Sequence, residues 1–133
     1  MRRLEKLFDG VDVAFVSVRA CYADNVAPSK YYEVADVTRF NIAMLAVLIP
    51  QLLRILLRER PKVVLTSGAL PGLIAIVLAK LFVGSRTIWI ESIAACETLS
   101  TSGKHARRFA DHWLTQWPHL ATKQGPQYLG SVL

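Results

Sequence analysis

Val63-Val64-Leu65-Thr66-Ser67-Gly68-Ala69-Leu70-Pro71-Gly72 runs straight into Leu73-Ile74-Ala75-Ile76-Val77-Leu78-Ala79-Lys80-Leu81, and this stretch decides the fold. Val63 to Thr66 are β-branched or apolar, as a strand buried on both faces requires. Ser67-Gly68-Ala69 is a small, flexible turn, and residues with helical apolar spacing follow it. Strand, glycine turn and helix make half of a βαβ unit. In such units the loop at the carboxyl end of the strand faces the ligand cleft. Ser67 and Gly68 are therefore candidates to present backbone donors to a phosphate at a helix N-terminus. A turn that simply needs glycine is the alternative.

A chain of 133 residues is one domain with a core of its own. A hydrophobic fraction of 53% is high for a freely soluble protein and points to a buried sheet, a membrane surface or a permanent partner. The net charge of +6 favours anionic partners such as phosphate-bearing lipids and nucleotide sugars. Nucleic-acid recognition lacks its interleaved aromatics and a groove-reading motif. Cys21 and Cys96 have no metal-type spacing and read as reduced thiols of a cytoplasmic protein. Met1-Arg2-Arg3 resembles a signal n-region, but the charged Leu4-Glu5-Lys6-Leu7-Phe8-Asp9 follows where an apolar run belongs, so no export signal is expected. Ile42 to Leu57 is too short and too polar to span a bilayer, and Val63 to Val83 is interrupted by Ser67-Gly68 and Pro71-Gly72.

Outward from the centre, Met1 to Phe8 reads as a partial basic helix, with residues 1–10 closed by Asp9-Gly10. Val11 to Ser17 reads as a strand, and Arg19 to Val37 as a long polar connection holding Tyr31 and Tyr32. Thr38 can cap a helix from Arg39 towards Arg60, kinked at Pro50 and either buried nearly all round or touching lipid. Beyond the centre, Gly84 closes the second helix and Arg86 to Ile90 forms a strand ending at Glu91-Ser92. Ile93 to Arg108 is a loop and helix, Ala110 to Gln116 a short strand stopped by Trp117-Pro118, and residues 127–133 an apolar tail. Alternating hydrophobic strands and helices predict an α/β domain with a mainly parallel sheet.

Glu91 is the sharpest candidate for chemistry: a carboxylate just past a buried strand can act as a base or orient a sugar hydroxyl. A capping or ion-paired glutamate is the alternative. Ser100 to Lys104, with His105, Arg107 and Arg108 beside it, can hold a phosphate, or can be a solvated basic helix end. His105, His112 and His119 recur every seven residues, but the strand and Pro118 break the stripe, so no metal site is expected. Asp111 and His112 are neighbours in a strand and point to opposite faces. With no Walker lysine and no G-x-G-x-x-G, neither a complete nucleotide site nor a cofactor is predicted.

Several segments together resemble one family. They are Leu65-Thr66-Ser67-Gly68-Ala69, Ile88-Trp89-Ile90-Glu91-Ser92, Leu99-Ser100-Thr101-Ser102-Gly103-Lys104, Ala110-Asp111-His112, Gln116-Trp117-Pro118 and Tyr128-Leu129-Gly130, in that order. The chain is similar over residues 11 to 133 to the ALG-fourteen type. That is the membrane-side subunit of the two-part UDP-GlcNAc transferase of N-glycan assembly, with bacterial counterparts in capsule and exopolysaccharide synthesis.

The resemblance implies a Rossmann-like, N-terminal acceptor-side half of a split GT-B glycosyltransferase, one domain over 1–133. A separate donor-binding chain would hold most of the UDP-sugar in a heterodimer. The acceptor would be a polyprenyl-linked glycan at the cytoplasmic face of a membrane. Glu91 and Ser92 match the family's strand-end motif and Ser100, Gly103 and Lys104 its following loop, all lining the cleft. Tyr128, Leu129, Gly130 and Leu133 inherit the role of holding the partner. The departure is at the front, where the family's opening strand and Gly-Gly-His loop have no match. That strand is central in a doubly wound sheet, so its absence is expected to leave a gap: either the true start lies upstream, or an altered strand order or another chain closes it. A non-enzymatic membrane-surface adaptor of α/β fold is the rival expectation.

Overall fold

In a computed structural model the chain is described over residues 8–19, 30–38 and 40–130. Among the described residues five short strands and three α-helices follow in the order β1 (Ala14–Ser17), β2 (Lys30–Glu33), α1 (Leu45–Glu59), β3 (Val63–Ser67), α2 (Leu70–Leu78), β4 (Arg86–Ile90), α3 (Thr101–Ala106) and β5 (His112–Leu114). Every strand pair is parallel. The strands form two sheets, β1-β2 and β3-β4-β5, and among the described residues β1 and β3 do not pair. The sheet is therefore divided, as the missing opening strand implies, and among the described residues no altered strand order joins its two parts.

One apolar cluster bridges the two sheets. Leu48, Leu52 and Leu56, one turn apart on α1, are buried with Val34 and Val37 after β2 and with Leu78 and Ala79. Val18 after β1 and Val64 of β3 pack against the same group. Among the described residues only one face of α1 is covered; Val47, Ile49 and Leu57 are exposed, so of the two expectations for this helix, burial nearly all round does not hold. A second cluster of Ile76, Trp89 and Ala106 joins α2, β4 and α3.

The strands at 63–67 and 86–90 and the closure at Gly84, which has a left-handed φ of 70°, follow the sequence reading. The last turn before Gly84, Ala79–Val83, is a π-helix. Three expectations are corrected. β2 lies inside the segment expected to be loop. The first helix begins at Leu45, after a 3₁₀ turn over Ile42–Met44, because Thr38 spends its hydroxyl on the Phe40 amide instead of capping a helix. β5 is only three residues long, since the Ala110 amide is already bonded to the carbonyl of Ala106. Of the N-terminal piece, Gly10 shows the expected left-handed turn (φ 81°), while residues 1–7 lie outside the described residues. Among the described residues no helix is long and apolar enough to cross a membrane.

Candidate functional site

The carboxyl ends of β3 and β4 lie side by side, with Ser67 opposite Ile90 in register. Two close approaches lock the turn after β3. A Cβ on Gly68 would lie 3.1 Å from the Cβ of Ser92, and one on Gly72 would lie 2.1 Å from the hydroxyl of Thr66. Glycine at 68 lets the turn touch the end of β4, and glycine at 72 seats the first turn of α2 on β3. Gly68 has φ 69°, as a glycine readily does, but Ala69 follows at φ 65° and ψ 157°, a region that side chains avoid. Such strain concentrates at ligand-binding turns and costs about 1–3 kcal/mol.

Glu91 leaves β4 on the same face as Trp89, two residues earlier, and is completely buried. The Trp89 indole N–H donates to Glu91 Oε2 at 3.2 Å. α3 lies directly over the carboxylate: a Cβ on Gly103 would fall 1.8 Å from Oε2 and 2.8 Å from the carboxyl carbon. Ser100 caps α3 by accepting from the Gly103 amide at 2.9 Å. The buried Gln116 donates through Nε2 to the Glu91 carbonyl at 3.1 Å. Glu91 Oε1 has no partner among the described residues, a costly state for a buried acceptor.

The structure thus joins Gly68, Ser92, Glu91, Gly103 and Ser100 in one run of contacts, with Ser67 at the end of β3 and Lys104 exposed on α3. It does not open Glu91 to solvent. In this arrangement the carboxylate faces the Trp89 indole and the backbone of α3. Trp89 and Gln116 were not among the predicted site residues. Strand periodicity puts residues 89 and 91 on one face and so carries the signal for Trp89; the role of Gln116 depends on the loop after β5 and has no local signal.

At the far edge Gln127 adds a single bridge to β5, its amide donating to Trp113 at 2.8 Å and its carbonyl accepting from Thr115 at 2.9 Å. Tyr128 is 40% and Leu129 77% exposed just beyond it, and Gly130 is exposed. Leu133 lies outside the described residues. His105, His112 and His119 fall on three separate elements. Among the described residues no three metal-ligating side chains converge.

Parallel strands whose carboxyl ends meet at a glycine turn and a buried carboxylate define a Rossmann-like half-domain of the GT-B kind. The fold is similar to the crystal structure of Acinetobacter baumannii MurG, with a TM-score of 0.71 at 12% identity, covering 97% of this chain and 39% of that one. The chain belongs to the family described as oligosaccharide biosynthesis protein Alg14 like, which matches residues 15–132. It is 40% identical over 80 residues to the UDP-N-acetylglucosamine transferase subunit alg14 of Schizosaccharomyces pombe, covering 54% of this chain and 37% of that protein. It is 36% identical over 87 residues to the Mus musculus subunit ALG14, covering 59% of this chain and 39% of that protein. The chain therefore spans less than two fifths of these relatives. Both relatives are named as subunits of a UDP-N-acetylglucosamine transferase.

Proposed function

We propose that this chain is the acceptor-side subunit of a two-component inverting glycosyltransferase, moving GlcNAc or another hexose from a UDP-sugar to a polyprenyl-(pyro)phosphate-linked glycan. It works as one half-domain over 1–133, peripheral to the cytoplasmic face of a membrane, and is inactive alone. Its donor-binding partner docks on the tail at 127–133. The reading is carried by the contact between the Gly68 turn and Ser92 at adjacent strand ends, with Glu91 held beneath α3 beside them.

Ser67 and Gly68 offer backbone donors beside the start of α2, where an anionic group is favoured. Ser92, Ser100 and the exposed Lys104 supply hydroxyls and a positive charge towards the acceptor phosphate. Glu91 fixes the distance between the end of β4 and α3, so that these groups face one cleft. It acts on the reaction through them.

The test is reconstitution with the neighbouring donor-binding chain, following sugar transfer from a UDP-sugar. Glu91→Gln should lower kcat by roughly tenfold or more while leaving the complex intact, since only oriented groups deliver their share of the rate. A positioning role keeps the shape of the pH profile, whereas loss of a base removes its acidic limb. Unchanged turnover would instead favour an adaptor without sugar chemistry.

A further inference from the structure

The loop that joins β4 to α3 carries Ser92 near its start and Ser100 at its end, and it has neither helix nor strand to hold its shape. The Ala94 amide donates to the Ser92 hydroxyl at 3.3 Å and the Ala95 amide to the Ser92 carbonyl at 3.0 Å. Those bonds fold the loop on itself without tying it to the sheet. A tie comes from the segment that leaves β5. His119 is exposed there, and its Nε2 lies 2.6 Å from the carbonyl oxygen of Cys96, in the middle of the loop. A carbonyl oxygen only accepts, so Nε2 carries a proton and is the donor.

The segment that presents His119 is itself braced. Pro118 opens a 3₁₀ turn, Pro118–Leu120, in which the Leu120 amide donates to the Trp117 carbonyl at 3.1 Å. The Trp117 amide donates to the Thr115 hydroxyl at 3.2 Å, and the Trp117 ring stands 6.1 Å from the imidazole at 49°. The same segment also grips the start of the loop. The Leu114 carbonyl accepts from the Glu91 amide at 2.8 Å, and Gln116 donates to the Glu91 carbonyl at 3.1 Å. Two holding points, one at Glu91 and one at Cys96, set both the place and the direction of the first half of the loop. The first alone would leave the loop free to swing about the end of β4. Loops held on a rigid support are where binding side chains are kept in a productive geometry.

We infer that His119 is a positioning residue. Through the Cys96 carbonyl it sets the path of the loop between Ser92 and Ser100, and so the direction in which both hydroxyls meet the acceptor phosphate. The bond is made to the backbone of Cys96, which leaves the thiol outside it. Removing the imidazole therefore frees the loop while Ser92, Ser100 and Glu91 all remain. A glutamine side chain carries its Nε2 as many bonds from the backbone as histidine does, and donates from it. The inference rests on the reading above for the nature of the acceptor, but the hold on the loop is measurable without any sugar transfer.

With Cys21→Ser in place, a nitroxide label on the exposed Cys96 thiol reports the motion of the loop in the purified chain. His119→Ala should move its spectrum towards fast motion, and His119→Gln should restore the slower one. In the complex reconstituted with the donor-binding chain, unlabelled, His119→Ala should raise KM for a short-chain prenyl-pyrophosphate-linked GlcNAc by roughly three- to tenfold, the worth of one hydrogen bond. KM for UDP-GlcNAc and kcat should change less than about twofold, as when binding of one substrate alone is weakened. His119→Gln should recover most of the loss. His112→Ala, at an exposed histidine of β5, should move neither readout. Melting curves check that the variants fold. A label equally slow in His119→Ala would overturn the inference, and so would an unmoved acceptor KM. Equal changes in kcat or in KM for the UDP-sugar, or a loss that His119→Gln does not recover, would overturn it too. No transfer by the unaltered complex would instead sink the proposed function, and the label spectra alone would then decide whether His119 holds the loop.

Discussion

Gly103 shows how a single missing methyl group can govern a site. α3 can lie on Glu91 only because position 103 has no side chain, the space being filled by Oε2. Gly103→Ala must lift α3, break the Ser100 cap or push the carboxylate off the Trp89 indole. Overpacking of this kind costs about 1–3 kcal/mol. A matching fall in unfolding free energy by urea titration is expected, with a changed environment at the Trp89 indole N–H by NMR. Alanine at Gly84 would test something else, since nothing lies within 4 Å and only its φ of 70° resists. The sequence marks Glu91 and Gly103 as candidates by position, but not that the two touch or that the carboxylate is buried. Their contact depends on how a twelve-residue separation folds back, and local spacing does not encode that. The strain at Ala69 is equally hidden, because alanine carries no turn signal.

β2 is the element that local patterning misses. Lys30-Tyr31-Tyr32-Glu33 has charged ends and no apolar alternation, and what makes it a strand is tertiary. Lys30 bridges Asp12 at 3.5 Å and Glu59 at 3.1 Å, while the Tyr32 hydroxyl donates to the other oxygen of Glu59. β2 is thereby tied to the stretch before β1 and to the last turn of α1. Tyr32, then Lys30, holds the Glu59 carboxyl below its usual 4.5, and Lys80, then the Thr87 amide, holds Asp111 below its usual 3.8. Glu59 in turn raises both Lys30 and Tyr32. The signs give a plateau. The lowered carboxylates contribute stability that is complete above their unfolded values and is lost as pH falls through the folded ones. The raised Lys30 and Tyr32 contribute stability that is complete below about pH 9 and is lost as pH rises through their folded values. Melting temperature against pH should therefore fall at both ends. Tyr32→Phe should move the acidic fall towards higher pH and remove part of the alkaline one. An unmoved acidic limb would show that the Tyr32–Glu59 contact does not persist in solution.

Across the whole molecule, what was legible was sequential: strand, turn and helix around residues 63–81, the strand at 86–90 and the parallel order of the pieces. What was not legible was that β2 pairs with β1, or which part of the tail is anchored. The tail crosses from structure to surface at one residue. Gln127 is bonded through both its amide and carbonyl to β5, and Gly125 fits against the Trp113 ring, where a Cβ would lie 2.9 Å away. Tyr128 and Leu129 then stand exposed. A chain ending at Gln127 should therefore melt as the intact one does, within the about 0.5 kcal/mol typical of surface changes. If the tail docks the donor-binding chain, removing an aromatic and an aliphatic anchor together should weaken association by roughly thirtyfold or more, the scale of a lost hot spot. Titration calorimetry of both chains with that partner separates the effects. A truncated chain that melts early would make the tail a structural strand, and one that binds normally would place the interface elsewhere, so only a stable chain with lost affinity fits a docking tail.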